Sequence, residues 1–319
     1  MADRTGKGTA TMSNKPIVVI AFGGNALIQK GQDGTAEQQM ENIKVPMQKV
    51  VALAPDYRVV ISHGNGPQVG NLLLQQEATT EVAEMPIPVL GAMTQGQIGY
   101  MMEAALERSL AEAGLERNFL TVITMVEVGA DDPLFQNPTK PIGPFYTDEE
   151  AAKKSYPMVS TDKGMRRVIA SPMPIGVVPY REIKQLVDMD WIVICSGGGG
   201  IPVVADGKGG HLGADAVIDK DLASSLLARE IGADLFVIAT DVPGACINWG
   251  KPDQEQLRKV SFEEMRRYVE EGQFPAGSMG PKVNALMSFV EATGKRAIIC
   301  NLDEIEAALA GNAGTEVGT

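Results

Sequence analysis

The sequence predicts an α/β fold in which a mainly parallel sheet lies between two layers of helices. Three observations lead to this prediction: the strand-like runs are short and apolar throughout, longer amphipathic runs separate them, and several of them end in glycine-rich loops. Strands that are apolar on both faces are typical of a parallel sheet covered by helices on both sides. We therefore expect an open three-layer αβα sandwich.

Six apolar runs predict the strands of this sheet. In chain order they are "IVVIAF" from Ile17, "RVVIS" from Arg58, "FLTVITMV" from Phe119, "WIVICS" from Trp191, "LFVIAT" from Leu235 and "AIICN" from Ala297. Helical patterns lie between them, most clearly over residues 91–113, 214–231 and 279–292.

One stretch departs from this alternation. Residues 127–180 contain eight of the 19 prolines, together with charged, helix-like runs such as "TDEEAAKKS". A segment of this length and composition is typical of a functional excursion rather than a linker. We predict a small inserted lid lobe at about residues 130–180 within a single domain that spans residues 16–319, preceded by a disordered tail over residues 1–15.

Composition and charge exclude several classes of partner. The 319 residues carry 28 Lys and Arg against 40 Asp and Glu, which gives 28 − 40 = −12, and no basic cluster is visible. This balance argues against a nucleic-acid or membrane partner, and no apolar run is long enough to span a membrane. Cys195, Cys246 and Cys300 lie in apolar runs without metal-binding spacing, so we expect reduced thiols in a cytoplasmic protein.

Four of the predicted strands end in glycine-rich or polar loops. These are "FGGNA" (22–26), "SHGNGPQVG" (62–70), "SGGGGIP" (196–202) and "TDVPG" (240–244). A single loop of this kind is more often only a tight turn. The carboxyl ends of parallel strands meet at one edge of a sheet, where helix N-termini present free N–H groups to anions. Four such loops therefore predict one crevice that binds phosphate-like groups.

Other nucleotide-binding machineries fit poorly. Gly64, Gly66 and Gly70 have a spacing close to that of a dinucleotide-binding loop, but no strand ending in an acid follows about 20 residues later. The P-loop motif and the catalytic motifs of protein kinases are absent from the sequence.

Three lysines lie beside the glycine loops or at the start of a helix-like run. Lys140 lies in "NPTKPIGP", Lys220 in "AVIDKDLAS" and Lys282 in "GSMGPKV". Each alone is more often a solvated surface residue. Together with backbone N–H groups and the neighbouring Asp219 and Asp221, they form the set that phosphoryl transfer requires, because cations neutralise the phosphoryl oxygens and carboxylates orient the cations.

The order of these motifs resembles one known family. "FGGNA", "SHGNGPQVGNLLLQQ", "AMTQGQIGY", "NPTKPIGPF", "SGGGGIPVV", "AVIDKDLAS", "CINWGKPD" and "PAGSMGPK" are similar to segments of the carbamate kinase family, within the amino-acid kinase superfamily. The resemblance covers about residues 17–317. It implies the amino-acid kinase fold, a homodimer, and reversible phosphoryl transfer between carbamoyl phosphate and ADP that yields ATP and carbamate, with Mg²⁺ as cofactor.

The resemblance also implies roles for individual residues. The catalytic residues would be Lys140, Lys220, Lys282 and Asp221; the substrate-binding residues Gly23, Gly24, Asn25, Gly64, Asn65, Gly198 and Gly199; the nucleotide-binding residues Thr240, Asp241, Trp249, Ser278 and Met279; and the Mg²⁺ ligand Asp219 or Asp221.

Two other function classes stay open, but the residues favour neither. Sibling kinases carry a lysine two residues before the GG pair, where this chain has Ala21, and Lys140 from the insertion is expected to supply the missing cation. A superfamily kinase for another acyl phosphate or for a nucleoside monophosphate should carry the lysine of the first strand, so Ala21 counts against it. A non-catalytic nucleotide-binding regulator would keep the glycine loops while losing the lysines, and all three lysines are present. His63 is expected to be structural or to orient substrate, because carbamate is already an anionic nucleophile and needs no base.

Overall fold

The computed structural model describes residues 13–275 and 277–318. Of the expected N-terminal tail, residues 1–12 lie outside this description. Within the described residues the strands, in chain order, are β1 (Ile17–Phe22), β2 (Arg58–His63), β3 (Phe119–Thr121), β4 (Met125–Val128), β5 (Lys140–Tyr146), β6 (Met158–Thr161), β7 (Gly164–Ile169), β8 (Pro174–Val177), β9 (Ile192–Ile194), β10 (Ile201–Ala205), β11 (His211–Gly213), β12 (Leu235–Thr240), β13 (Cys246–Ile247), β14 (Glu255–Gln256), β15 (Lys259–Ser261), β16 (Ala297–Asn301) and β17 (Thr315–Gly318).

The helices connect these strands on both sides of the sheet. They are α1 (Ala36–Leu53), α2 (Gly66–Glu77), α3 (Ile87–Ala113), α4 (Asp148–Ala151), α5 (Tyr180–Asp188), α6 (Lys220–Glu230), α7 (Phe262–Glu270), α8 (Met279–Thr293) and α9 (Ile305–Leu309), with short 3₁₀ helices at Gly24–Ala26, Pro133–Phe135, Gly197–Gly199 and Leu302–Glu304. None of the helices described here is both long and apolar enough to cross a lipid bilayer.

An eight-stranded sheet forms the centre of the molecule, in the order β15-β17-β16-β12-β1-β2-β9-β3. Neighbouring strands are parallel throughout except for β16 and β17, which pair antiparallel. The prediction of a mainly parallel sheet is therefore confirmed. The central strands β12, β1, β2 and β9 are the ones that lead into the four glycine-rich loops.

Alternate residues of the strands pack against the two helical layers. On one face, Val19 and Phe236 lie in a core formed with α5, α6, α7 and α8. On the other face, Ile20 and Val237 pack against α1, α3 and α9. Because the central strands are buried on both faces, they have the continuous apolar sequences from which the sandwich was predicted.

Three smaller sheets lie in the connections of the described residues, one of them the two-stranded pair β13-β14. The order β11-β10-β4-β8 forms the second, and β5-β7-β6 forms the third, which we call the lid (residues 140–169). The single strand predicted from Phe119 is wrong: the run splits into β3, which pairs with β9 in the main sheet, and β4, which pairs with β10. Both halves are apolar, so the pattern alone gives no sign of the change of sheet.

The predicted helices over residues 91–113 and 279–292 lie within α3 and α8, but the one over 214–231 begins later than expected. It starts at Lys220 because the Asp219 carboxylate accepts hydrogen bonds from the backbone nitrogens of Asp221 (2.9 Å) and Leu222 (3.4 Å). A side chain that bonds the first free N–H groups in this way fixes the start of a helix. The cap also places Lys220 in the first helical turn, at the carboxyl edge of the sheet.

Candidate active site

All four glycine-rich loops line one cavity of about 1290 Å³ at the carboxyl edge of the main sheet. The loops follow one another in the order of their strands, β12, β1, β2 and β9. Each loop packs on its neighbour: the Gly23 nitrogen donates to the Ala239 oxygen (2.9 Å), and the Gly64 nitrogen donates to the Phe22 oxygen (3.1 Å). The expected convergence of these loops on a single crevice is confirmed.

Close approach between loops explains the glycines better than turn geometry does. A Cβ on Gly64 would lie 3.3 Å from the backbone nitrogen of Gly24 and 3.7 Å from Cδ of Lys220. A Cβ on Gly198 would collide with the Asn65 side chain, and the φ of Gly198 is also positive, at +67°. A larger residue at either position would push adjacent loops apart and open the wall of the cavity.

Two helices present their N-termini to the cavity without a side-chain cap. Helix α2 starts after Asn65, and helix α8 starts after Ser278, and neither of these residues makes a capping hydrogen bond. Asn65, Gly66, Ser278 and Met279 all line the cavity. Backbone N–H groups at the start of a helix bind anions well, so both of these parts of the cavity wall are suited to anionic groups.

A cluster of buried charges joins these two parts of the wall, since the Lys220 side chain lies beside Gly64 and Lys282 lies near the start of α8. The Asp221 carboxylate pairs with Lys220 through one oxygen and with Lys282 through the other, at 2.9 Å for Lys282. The Asp221 side chain is only 4% exposed, and those of Lys220 and Lys282 are 13% and 19% exposed. Two cations and one anion therefore leave a net positive charge in the wall of the cavity.

The cluster is electrostatically prepared to receive negative charge. Burial alone would raise the pKa of Asp221, but Lys220 and Lys282 outweigh it and hold the pKa of this carboxyl below its usual range. Burial lowers the pKa of the Lys220 ammonium, even though Asp221 beside it favours the charged form. An added anion next to Lys220 would be stabilised strongly, because little water competes for the ammonium there.

The lid contributes two further cations. The Lys140 ammonium pairs with the Asp219 carboxylate at 3.1 Å, and its side chain remains 41% exposed. The Arg166 Nε donates to the Gly143 oxygen at 3.0 Å, and burial lowers the pKa of this guanidinium. Both residues line the cavity. Sequence reasoning missed Arg166, although neighbouring arginines in the strand-like run "MRRVI" must point to opposite faces of a strand.

The predicted nucleotide-binding residues also line the cavity. Thr240, Asp241, Trp249, Ser278 and Met279 all line it. The Thr240 hydroxyl donates to the Asp241 carboxylate at 3.1 Å. Trp249 is 60% exposed, so its ring is available to cover a planar group. Cys246 is a further lining residue that the sequence did not indicate; it is a free, buried thiol, as are Cys195 and Cys300.

Two of the predicted substrate-binding residues have other surroundings. Gly23 and Gly199 are not among the residues that line the cavity. A Cβ on Gly23 would lie 3.4 Å from the Ala239 oxygen, and one on Gly199 would collide with the Ile218 oxygen. Both glycines therefore permit close packing behind the wall. The backbone of Asn25 belongs to the 3₁₀ helix after β1, and its side chain lies outside the description.

His63 is buried beneath the second and third loops. Its Nδ1 is 3.0 Å from the Gly64 oxygen, and its ring occupies the space that a Cβ on Gly197 would need. Burial lowers the pKa of His63 to about 4, so the ring is neutral at physiological pH and Nδ1 donates the hydrogen bond. This environment supports the structural role expected from the sequence.

The two aspartates do not fit a directly ligated metal ion. Both oxygens of Asp221 bind lysines, and the two oxygens of Asp219 cap α6 and bind Lys140. Over residues 13–275 and 277–318, no group of three or more His, Cys, Asp or Glu side chains has a geometry that could hold a metal ion. The sequence-based assignment of Asp219 or Asp221 as a Mg²⁺ ligand therefore disagrees with this arrangement.

Fold and site together define an α/β protein with an anion-binding cavity built for phosphoryl groups. The chain belongs to the amino acid kinase family, whose model matches residues 16–301. It is 50% identical to the carbamate kinase of Thermococcus kodakarensis over 94% of this chain and 98% of that protein, and 49% identical to that of Pyrococcus furiosus over the same shares. The solved structure of the Giardia lamblia carbamate kinase bound to AMP-PNP has a TM-score of 0.90, with 42% identity over 96% of this chain and 99% of that chain.

Proposed function

We propose that this chain is a carbamate kinase, which transfers a phosphoryl group reversibly between carbamoyl phosphate and ADP to give ATP and carbamate. The observation that carries the proposal is the buried cluster of Lys220, Asp221 and Lys282 that joins the two anion-binding parts of the cavity wall. The near full-length similarity to carbamate kinases supports the choice of substrate over the other acyl phosphates considered above.

Transfer of a phosphoryl group requires mainly positioning and charge stabilisation. Lys220 and Lys282 would neutralise the oxygens of the phosphoryl group during its transfer, and Asp221 would hold the two ammonium groups at a fixed separation. Carbamate attacks as an anion, so no general base is needed, in agreement with the neutral, hydrogen-bonded ring of His63.

The lid would act at the carbamoyl end of the cavity. We propose that residues 140–169 are the part of the insertion that takes part in the reaction, and that they belong to a single kinase domain. Lys140 and Arg166 line the cavity together with Gly64 and Asn65 of the second loop. Because β1 carries Ala21 in place of a lysine, these lid cations would provide the charge that the strand does not supply.

The nucleotide would bind near Trp249 and Asp241, with its phosphates towards the N-terminus of α8. Mg²⁺ would enter as part of the metal–nucleotide substrate, since neither Asp219 nor Asp221 offers it a free carboxylate oxygen. Its role when bound would be to neutralise phosphate charge.

A substrate panel tests the proposal. ATP formation from ADP would be measured with carbamoyl phosphate, acetyl phosphate and glutamyl phosphate at equal concentrations. We expect kcat/KM for carbamoyl phosphate to exceed the other values by at least about 10²-fold, because a site that hydrogen-bonds the carbamoyl NH₂ is left with unpaired polar groups when the isosteric methyl group of acetyl phosphate takes its place. Equal use of acetyl phosphate would contradict the assignment.

We further propose a cytoplasmic homodimer. Val89, Met93 and Tyr100 are exposed along one face of α3, and the exposed Ile123 follows β3, which packs on the same helix. An apolar face of this kind is typical of a subunit interface. The three free cysteines fit a reducing compartment. Light scattering of the purified protein and of Tyr100→Glu would measure the subunit number.

A further inference from the structure

A second polar cluster lies at the end of the lid remote from Lys140. The Glu77 carboxylate, on the last residue of α2, accepts hydrogen bonds from the Tyr156 hydroxyl (2.8 Å), the Tyr146 hydroxyl (3.3 Å) and the Lys154 ammonium (2.5 Å). The Lys154 nitrogen lies 4.8 Å from the centre of the Tyr146 ring, and the Arg167 guanidinium lies 4.5 Å from that of Tyr156. One carboxylate from outside the lid thus holds several lid side chains.

These side chains come from different parts of the lid. Tyr146 ends β5, Lys154 follows α4, Tyr156 precedes β6, and Arg167 lies in β7. Burial alone would raise the pKa of Glu77, but the hydrogen bonds from Lys154 and the tyrosines outweigh it and keep the pKa below its usual range. Glu77 is therefore an ionised acceptor at neutral pH, and charge-assisted hydrogen bonds of this type are stronger than neutral ones.

The same two strands connect this cluster to the cavity. β5 begins with Lys140, which lines the cavity, and ends with Tyr146, which contacts Glu77. In β7, Arg166 faces the cavity, whereas the next residue, Arg167, faces Tyr156. β5 pairs with β7 on both sides of a register shift between Ile142 and Tyr146, so β7 links the end of β5 at Glu77 to the end that carries Lys140.

Helix α2 connects Glu77 to the substrate loop. Its 12 residues span about 18 Å, from Gly66 in the cavity wall to Glu77 in the cluster. Val69 and Leu73 of this helix form an apolar core with Ile142 and Ile169 of the lid. The apolar contact between α2 and the lid thus begins near the carbamoyl end of the cavity and ends at the polar cluster around Glu77.

We propose that Glu77 is a positioning residue for phosphoryl transfer: by binding Tyr146, Tyr156 and Lys154 it docks the lid on α2 and sets Lys140 and Arg166 over the substrate loop. This inference rests on the proposed function of the lid. Glu77 itself does not line the cavity, so it acts only through the residues it holds.

Steady-state kinetics of Glu77→Gln test the proposal. The amide keeps the size of the side chain but loses the charge that binds Lys154. We expect kcat/KM for carbamoyl phosphate to fall about 10-fold, because displacements of about 1 Å in a positioned group can cost up to 10²-fold in rate. The KM for ADP should change less than about twofold, since the lid cations lie at the other end of the cavity. Glu84→Gln, at an exposed carboxylate between α2 and α3, is the matched control and should behave as the unmodified protein.

A double-mutant cycle separates positioning from general stability. In the Lys140→Ala, Arg166→Ala background the loss caused by Glu77→Gln should shrink to less than about twofold, because the cations through which it acts are gone. Hydrogen exchange should quicken in β5 and β7 of Glu77→Gln and remain unchanged in β1 and β2. An undiminished loss in that background, or faster exchange throughout the protein, would overturn the proposal.

A second variant covers the case in which Glu77→Gln fails to fold. Tyr156→Phe removes one hydroxyl from the cluster, and we expect a fall of about threefold in kcat/KM for carbamoyl phosphate with the same exchange pattern. Unchanged kinetics and unchanged exchange in this variant would also refute the proposal. Failure of the lid function itself has a different signature, since Lys140→Ala and Arg166→Ala would then retain full activity while Glu77→Gln still loosened β5 and β7.

Discussion

Lys220 and Lys282 reach the cavity from helices of the main body, whereas Lys140 reaches it from the lid. The first two are largely buried, and both bind the buried carboxylate of Asp221. Lys140 is 41% exposed and pairs with Asp219 at 3.1 Å. A charge fixed in the core costs desolvation but needs no movement to act, while a charge on the lid remains hydrated until the lid and the substrate meet.

This difference indicates a division of labour between two regions. The main body provides a permanent positive centre whose position depends on helix packing. The lid provides cations whose position depends on a small sheet and on the cluster around Glu77. We therefore expect substitutions in the main body to affect the transfer step most, and substitutions in the lid to affect the carbamoyl substrate selectively.

Lys220→Met provides the strongest test of this comparison. The substitution removes a buried ammonium, and we expect kcat to fall about 10³-fold, at the upper end of the losses seen when a transition-state charge donor is removed. Coupled ATP formation measures the effect. Lys208→Met, at an exposed turn, is the control. A kcat within about threefold of the unmodified value would show that the positive charge needed for transfer does not come from Lys220.

The second prediction concerns the stability of the main body and its dependence on pH. His63 has a pKa of about 4 in the folded protein against an ordinary value of 6.5, so the unfolded chain binds more protons between these pH values. Its contribution to stability is therefore complete above pH 6.5 and is lost as the pH falls towards 4. The loss amounts to roughly 3 kcal/mol at 1.36 kcal/mol per unit.

Denaturant unfolding at several pH values measures this contribution. His63→Gln retains a donor for the Gly64 oxygen but cannot take up a proton, so its free energy of unfolding should fall less steeply over the same pH range. Parallel curves for the two proteins would show that His63 is not held neutral.

Lys140→Ala measures the contribution of the lid. We expect kcat for carbamoyl phosphate turnover to fall about 10²-fold with little change in nucleotide affinity, because the lid meets the carbamoyl end of the cavity. Nucleotide binding can be followed by the fluorescence of Trp249, which lines the cavity and is exposed. Near-normal turnover would show that the lid lysine takes no part in phosphoryl transfer. Weakened ADP binding would instead indicate that Lys140 contacts the nucleotide.

The smallest effect is expected at the nucleotide end. Trp249→Ala removes a ring that could cover the base, a contact worth about 1 kcal/mol, so ADP affinity should fall about fivefold without a change in kcat. Titration calorimetry with ADP measures the affinity. A large fall in kcat would indicate that the Trp249 loop also orders the phosphates.

Much of the fold could be predicted because its signals are local. Strands such as β1 and β12 are apolar on both faces, and α3 and α8 have helical periodicity. The division of the run from Phe119 could not be predicted, because both halves are apolar and only the pairing partners distinguish them. The start of α6 was misplaced since a cap depends on side-chain geometry at one residue, Asp219.

For the candidate site, the sequence by itself determined which residue types meet at the edge of the sheet. The glycine loops follow from strand order, and Lys140, Lys220 and Lys282 were identified from motifs that resemble a known family.

Tertiary structure alone decided how the charges are used. Arg166 enters the cavity because β7 pairs with β5, and both oxygens of Asp221 are occupied by lysines from two helices. Glu77 gained its place through contacts some 70 to 80 residues distant in the chain. Such long-range contacts leave no periodic signal, because they depend on where whole elements pack and not on the residues beside them.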